Sequence, residues 1–163
     1  RSASLINDDP VAALRQTNVS ILNDTESGMF VTVYYAVLHP GGAVTGLNAG
    51  HNLPLLLHAS DHSHEFLPRG GRPLGWFEEL PVEAVEYQLQ PGDVLVFYTD
   101  GLTEAENIYR EAYGERRLVD VVTAHADRSA GEILQAITDS VLGFMGDAPP
   151  FDDTTLFVVR YTG

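Results

Sequence analysis

The sequence contains no cysteine, which excludes disulfide bonds and zinc sites built from thiolates. It also has no apolar run near the roughly 18 residues that a membrane-spanning helix needs, and we expect no signal peptide. Basic residues are few, since 9 Lys and Arg stand against 23 Asp and Glu, giving a net charge of −14. Nucleic acids and anionic membranes are bound by clustered Lys and Arg, so we expect no contact with either. The composition predicts a cytoplasmic protein whose carboxylates mainly keep it soluble.

The length of 163 residues suits one domain with a hydrophobic core, and the 44% of apolar residues is typical of a globular protein. We therefore expect residues 1–163 to form a single domain. The first residue is Arg1 and not Met, which predicts that the chain begins inside a longer polypeptide.

Apolar periodicity predicts helices near residues 9–23 and 115–126. A further helix begins after Ser129, which forms a capping box with Glu132 and places Leu134, Ile137, Val141 and Met145 inward. Strands are predicted over residues 29–38, 43–47, 53–58, 64–67, 83–89, 94–98 and 154–161. We expect the first strand to be buried on both faces and the early strands to form an antiparallel meander. Without regular βαβ alternation, the order predicts a mainly antiparallel α+β domain.

Two acidic sites stand where a buried strand meets a loop. Asp100 follows the strand 94–98, and the pair Asp152-Asp153 precedes the last strand. Carboxylates at the ends of rigid strands are well placed to converge on hard cations, which take oxygen ligands. The alternative is structural, because Asp-Gly is a common turn and an Asp before a strand often caps a loop. The spacing alone leaves both interpretations open.

Three other features have a structural and a functional interpretation. In Asn48-Ala-Gly-His51, a turn that uses Asn and Gly for positive φ is favoured over a phosphate site at His51. The polar setting of His58, His62 and His64 favours a solvated loop over a metal site. The segment Arg69-Gly-Gly-Arg72 has the groups to contact phosphate, but an ordinary loop is favoured.

Five blocks of the sequence resemble the bacterial branch of the type 2C metal-dependent (PPM) protein phosphatases, the SpoIIE/RsbU kind, in order and spacing. They are Met29-Phe-Val-Thr-Val-Tyr-Tyr, Asn48-Ala-Gly-His-Asn-Leu-Pro, Pro73-Leu-Gly75, Pro91-Gly-Asp-Val-Leu-Val-Phe-Tyr-Thr-Asp-Gly-Leu-Thr-Glu-Ala and Phe151-Asp-Asp-Thr-Thr-Leu. Each block is modest evidence, but together they cover nearly the whole chain.

The resemblance implies an α+β fold of two packed antiparallel sheets flanked by helices, an αββα sandwich. It also implies hydrolysis of phosphoserine or phosphothreonine on a protein by a water that bridges two Mn²⁺ or Mg²⁺ ions. By position, Asp100 and Asp152 match metal ligands and catalytic residues of the family. Asp153 matches an acidic residue that supports the ligands. Glu104 and His51 match motif positions without an assigned role.

One departure from the family pattern leads to a further expectation. Family members carry other metal ligands upstream of the region where this chain begins, so we expect an N-terminally truncated phosphatase domain. Two carboxylates alone should bind Mg²⁺ weakly, since this ion releases its waters reluctantly. We therefore expect the fragment to be inactive alone, and exposed strand edges make a homodimer possible.

Two rival functions remain at this point. The chain has the features of a non-catalytic pseudophosphatase that binds phosphoprotein, or of an acidic, β-rich interaction domain that docks a partner. For the favoured enzyme, the resemblance implies a phosphorylated regulatory protein as substrate, such as an anti-sigma-factor antagonist in stress-response signalling.

Overall fold

The computed structural model describes residues 9–24, 28–68, 70–149 and 152–163. In chain order the elements are α1 (Pro10–Asp24), β1 (Val33–Leu38), β2 (Ala43–Ala49), β3 (Leu55–Leu57), β4 (His64–Phe66), β5 (Val85–Gln88), β6 (Val94–Tyr98), α2 (Asp100–Thr103), α3 (Gly114–Ala124), α4 (Ala130–Met145) and β7 (Leu156–Arg160). The chain forms two compact units. One consists of the chain up to His51 with Pro68–Leu89, and the other of Asn52–Leu67 with Gln90–Gly163.

The first unit contains α1 and a three-stranded antiparallel sheet in the order β1-β2-β5. Helix α1 begins where Asp9 accepts a hydrogen bond from the N–H of Val11 at 2.9 Å, and Pro10 suits the first turn of a helix. Its buried residue Leu14 packs in a cluster with Leu47, Ala49, Leu74, Leu80 and Val82. Buried Asn18 accepts from the N–H of Gly75 at 2.8 Å and donates to the carbonyl of Phe77 at 2.9 Å, which fixes the loop over the helix.

Two expectations about these strands are wrong. The apolar run 29–38 is not a doubly buried strand, because β1 starts at Val33, its residues are only half-buried, and Met29, Phe30 and Val31 are exposed. The reason is that β1 lies at the edge of its sheet and pairs with β2 alone among named strands. The early strands do not form a meander either, since β2 pairs with β5 while β3 belongs to the other sheet.

The second unit contains a four-stranded antiparallel sheet in the order β4-β3-β6-β7, with α3 and α4 packed on it. Its core includes the strand residues Leu55, Val96 and Val158, and the helix residues Leu118, Val122, Ile133 and Ile137. The capping box at Ser129 and Glu132 is confirmed. The buried face of α4 is formed by Ile133, Ile137 and Val141, while the predicted Leu134 and Met145 are only partly buried.

The expected fold class, α+β with two antiparallel sheets and flanking helices, is confirmed. Within the described ranges, no helix is both long enough and apolar enough to cross a membrane. The short helix α2 was not predicted, and it begins at Asp100.

Candidate metal centre

The antiparallel pairing of β6 with β7 determines where the predicted acidic residues lie. The register runs from Val94 opposite Arg160 to Tyr98 opposite Leu156. Because the strands are antiparallel, the end of β6 and the beginning of β7 share one edge of the sheet. Asp100 leaves this edge two residues after β6, and Asp152 approaches it four residues before β7. The fold therefore brings the two acidic segments to the same edge.

Thr99 joins these segments directly. Its N–H donates to the carbonyl of Thr155 at 3.1 Å, and its hydroxyl accepts from the N–H of Thr155 at 2.9 Å. The same hydroxyl lies 3.3 Å from the carbonyl oxygen of Asp153, to which it donates. Thr99 is also the N-cap of α2, yet its side chain makes no capping bond to the helix. The hydroxyl instead ties the start of α2 to the segment before β7.

Only glycine fits at position 101, because there is no space for a Cβ atom. A Cβ placed on Gly101 would lie 2.5 Å from the carbonyl oxygen of Asp153 and 3.3 Å from the Thr154 hydroxyl oxygen. The backbones therefore approach more closely than any other residue type allows. From the sequence, the Asp-Gly pair is a common turn. In the structure it forms the first turn of α2, which packs against the second acidic segment.

The carboxylates of Asp100 and Asp152 are exposed and have similar surroundings. Asp100 accepts a hydrogen bond from the N–H of Gly101 at 3.0 Å, and Asp152 accepts one from the N–H of Asp153 at 2.7 Å. Within the described ranges, neither forms an ion pair with Arg or His. Each carboxylate thus keeps acceptor capacity toward solvent, which fits a ligand of a hard divalent cation.

The described residues do not form a complete metal site. Among them, no group of three or more His, Asp or Glu side chains is arranged to hold a metal ion. Asp100 and Asp152 are therefore two candidate oxygen donors, and a Mg²⁺ or Mn²⁺ ion bound there would need water, substrate or further groups as its other ligands.

The other predicted site residues have separate settings. Asp153 is exposed and follows Asp152, and its backbone carbonyl is the group that contacts Thr99 and faces Gly101. Glu104 ends α2, where its N–H donates to the carbonyl of Asp100 at 2.8 Å, and its side chain is exposed. His51 belongs to the other unit, where its Nδ1 lies 3.2 Å from the hydroxyl oxygen of Thr32.

The turn predicted over Asn48–His51 is not formed as expected, because Asn48 and Ala49 belong to β2 and Gly50 forms a β-bridge with Val33. Gly50 has φ of +75°, whereas Asn48 lies in β2 with its side chain buried. The amide of Asn48 accepts from the N–H of His51 at 2.8 Å and donates to the carbonyl of His51 at 3.0 Å. This pair of bonds holds His51 at a fixed position relative to β2.

The remaining sequence candidates are explained by local structure. His58 contacts Glu65 at 3.2 Å, and His62 sits in a turn with φ of +58°, consistent with the solvated loop. The guanidinium of Arg72 lies 4.4 Å from the ring centre of Phe77. Arg69 and Phe151 lie outside the described residues.

The sequence patterns do not single out Asp93, yet this acidic residue is only 1% exposed. It accepts from the N–H groups of Ala59 at 2.9 Å and Gln90 at 2.8 Å, and so holds the turn before β6.

At the other end of β6, burial raises the pKa of the Tyr98 phenol and the Glu115 carboxylate raises it further. Tyr98 therefore stays neutral and adds no charge at that edge of the sheet.

Comparison with known proteins identifies the family. The model of Stage II sporulation protein E (SpoIIE) matches residues 1–162. The chain is 30% identical over 149 residues to Protein IcfG of Synechocystis, covering 90% of the chain and 23% of IcfG. It is 29% identical over 154 residues to the phosphoserine phosphatase RsbU of Bacillus subtilis, covering 93% of the chain and 45% of RsbU. The chain thus spans less than half the length of the curated relatives it matches.

A solved structure shares the fold. The RsbU and RsbW domains of Rv1364c from Mycobacterium tuberculosis superpose with a TM-score of 0.74 at 27% identity, covering 94% of the chain and 42% of that protein. The resemblance noted from the sequence is confirmed, as is the expected enzyme class of its relatives. The chain belongs to the SpoIIE family, the PP2C-type (PPM) protein serine/threonine phosphatases of the SpoIIE/RsbU kind.

Proposed function

We propose that this chain is part of a metal-dependent phosphatase that hydrolyses phosphoserine or phosphothreonine on a regulatory protein. The observation that carries the proposal is the β6–β7 pairing, which brings the segments of Asp100 and Asp152 to one edge of a sheet. Metal dependence is a property of its PP2C-type relatives.

Asp100 and Asp152 are the proposed metal ligands and catalytic residues. Divalent Mn²⁺ or Mg²⁺, two ions in the complete site, would supply activation of water and stabilisation of charge on the phosphoryl group. The chain's own contribution is to fix the two carboxylates on adjoining backbone segments, so that little reorganisation is needed when a cation binds. Asp153 and Glu104 are proposed to support the site without ligating the metal, and for His51 the match to a family motif position stays a prediction.

The proposed substrate is a phosphorylated regulatory protein, specifically an anti-sigma-factor antagonist. RsbU is a phosphoserine phosphatase by name, and the Rv1364c structure contains an RsbU domain together with an RsbW domain. Association with such small regulatory proteins in the cytoplasm is part of the proposal. A homodimer is also proposed, because β1 and β4 present sheet edges.

The test compares phosphate release from a phosphoserine peptide by the longer parent protein and by the isolated chain, with and without Mn²⁺. We expect Asp100→Asn and Asp152→Asn in the parent to lower activity by at least about 100-fold, since each removes charge at the reacting centre. The matched control is Asp139→Asn, an exposed carboxylate on α4 that accepts a bond from Gln135 at 2.8 Å. Full activity in either site variant would refute the assignment.

The same assay separates the alternatives. We propose that the isolated chain has little or no activity, because two carboxylates bind a divalent ion weakly. A non-catalytic phosphoprotein-binding domain predicts that the parent binds the phosphopeptide without cleaving it. An acidic interaction domain without metal predicts no effect of Mn²⁺ on either binding or stability.

A further inference from the structure

A cleft of about 390 Å³ lies between the C-terminal half of α4, the helix α2 and the segment that leads into β7. Its volume lies within the range of about 300–1,000 Å³ that is typical of small-molecule sites. The apolar part of its wall is formed by Leu102, Ala105, Val141, Leu142, Met145 and Leu156. We call this the α4 cleft.

The α4 cleft has a buried floor and an open mouth. Leu102, Ala105 and Val141 are almost fully buried, whereas Leu142 is 59% exposed at the rim. Burying apolar surface contributes roughly 25 cal/mol per Å². An apolar group that enters between Leu142 and the buried floor would therefore be stabilised by the hydrophobic effect.

The polar groups of the cleft favour a cation. Asp152 and Asp153 line it, and both carboxylates are exposed. The hydroxyl of Thr138, also in the lining, donates to the carbonyl of Leu134 at 2.9 Å, so it faces a ligand as an acceptor. Among the described residues that line the cleft, none is Arg or His. A ligand that carries hydrogen-bond donors and positive charge would complement these groups.

We infer that the α4 cleft binds a small organic cation, with an aryl or alkyl body against the apolar wall and an ammonium or guanidinium group at Asp152 and Asp153. An anion of the same shape meets the two like charges of Asp152 and Asp153, against which the lining offers the hydroxyl of Thr154 as a donor but no cationic side chain. The long-range electrostatic field of a chain with a net charge of −14 also favours a cation over an anion.

The test uses the isolated chain without any divalent cation, so it depends on neither metal binding nor phosphatase activity. The probe is 4-phenylbutylamine, and the matched probe is 4-phenylbutyrate, which has the same apolar body with the opposite charge. We expect NMR amide shifts confined to residues 101–105, 138–145 and 152–156, and at least about tenfold tighter binding of the amine. Equal binding of the two probes, or amine-induced shifts elsewhere, would overturn the inference.

Three variants make the test specific. Leu142→Arg places a cation at the exposed rim, so it should abolish amine binding and raise the affinity for phenylbutyrate without loss of fold. Gln135→Arg makes the same charge change at an exposed position of α4 outside the cleft lining and should leave the preference for the amine unchanged. Asp153→Asn should lower the affinity for the amine by about three- to fivefold, which is the contribution of one exposed ion pair. An amine affinity unaffected by both Leu142→Arg and Asp153→Asn contradicts binding in this cleft.

Discussion

The N–H of Thr99 donates to the carbonyl of Thr155 at 3.1 Å, and the Thr99 hydroxyl accepts from the N–H of Thr155 at 2.9 Å. The β6–β7 pairing thus continues beyond its last strand pair, Tyr98 and Leu156, with a side chain in place of one backbone acceptor. Asp100 follows Thr99, so this contact sets the distance between the two proposed ligand segments.

Thr99→Val should loosen that contact, because valine has the shape of threonine without its hydroxyl. We expect a loss of about 1–2 kcal/mol in the free energy of unfolding and a several-fold weaker affinity for Mn²⁺. Thr99→Ser should restore both values. Denaturant unfolding and calorimetric Mn²⁺ titration measure these quantities. Unchanged Mn²⁺ affinity in Thr99→Val would show that the contact does not position the ligands.

Gly101→Ala should separate the two acidic segments, since its Cβ would lie 2.5 Å from the carbonyl oxygen of Asp153. The contact involves backbone, so it is relieved only by moving α2 or the segment before β7. We expect lower thermal stability and at least about tenfold weaker Mn²⁺ binding, the effect of displacing one ligand of a sparse site.

The control for this substitution is Gly143→Ala on α4, where an added Cβ meets nothing within 4 Å. Alanine in a helix is more stable than glycine by about 0.5–1 kcal/mol, so the control should be more stable than the unsubstituted chain. If Gly101→Ala behaves like Gly143→Ala, the close approach of the two segments has no functional consequence.

Much of the fold follows from local sequence patterns. The strand 94–98, the capping box at Ser129 and the helix α1 all depend on residues near in sequence, and each was predicted within one or two residues. Which strands pair does not follow from local patterns, because the β6–β7 register joins residues 58 to 66 positions apart. The spacing therefore leaves the role of Asp100 and Asp152 open, and only the family resemblance predicts that both are metal ligands.

The errors have a common physical origin. The run 29–38 is apolar, but burial depends on the neighbours of a strand, and β1 lies at a sheet edge. Asn48 and Asp93 are residue types common in turns, yet their side chains are buried and hydrogen-bonded to particular backbone groups. Gly101 is fixed by a contact with residue 153, which no local pattern reveals.

Asp93→Ala should be among the most destabilising single changes in the second unit. It leaves the N–H groups of Ala59 and Gln90 without the buried carboxylate that accepts from them. We expect a loss of about 3 kcal/mol in the free energy of unfolding, measured by denaturant titration. Asp127→Asn, at an exposed position, is the control and should change stability by less than about 0.5 kcal/mol. A small effect of Asp93→Ala would mean that water replaces the carboxylate.

The capping box of α4 should make stability depend on pH. The Ser129 hydroxyl, followed by the Ser129 N–H, lowers the pKa of Glu132 below its ordinary value. A carboxylate with a lowered folded-state pKa stabilises the fold above its unfolded pKa, and this contribution is lost as the pH falls through the folded value. Ser129→Ala should therefore lower Tm near pH 7 by about 2–4 °C and by clearly less near pH 3. An equal Tm difference at both pH values would contradict a role for the ionised Glu132.

Divalent cations and organic cations should compete for Asp152, because this residue is both a proposed metal ligand and part of the wall of the α4 cleft. We expect saturating Mn²⁺ to lower the affinity for 4-phenylbutylamine by about three- to tenfold, since a bound cation neutralises one of the two carboxylates in the cleft lining. Linkage requires the amine to weaken Mn²⁺ binding by the same factor, which calorimetric titrations in both orders measure. Asp152→Asn should remove this coupling while the amine still binds through Asp153. If each ligand binds alone but neither affects the other, Asp152 does not serve both sites, and only the shared role of this residue is refuted.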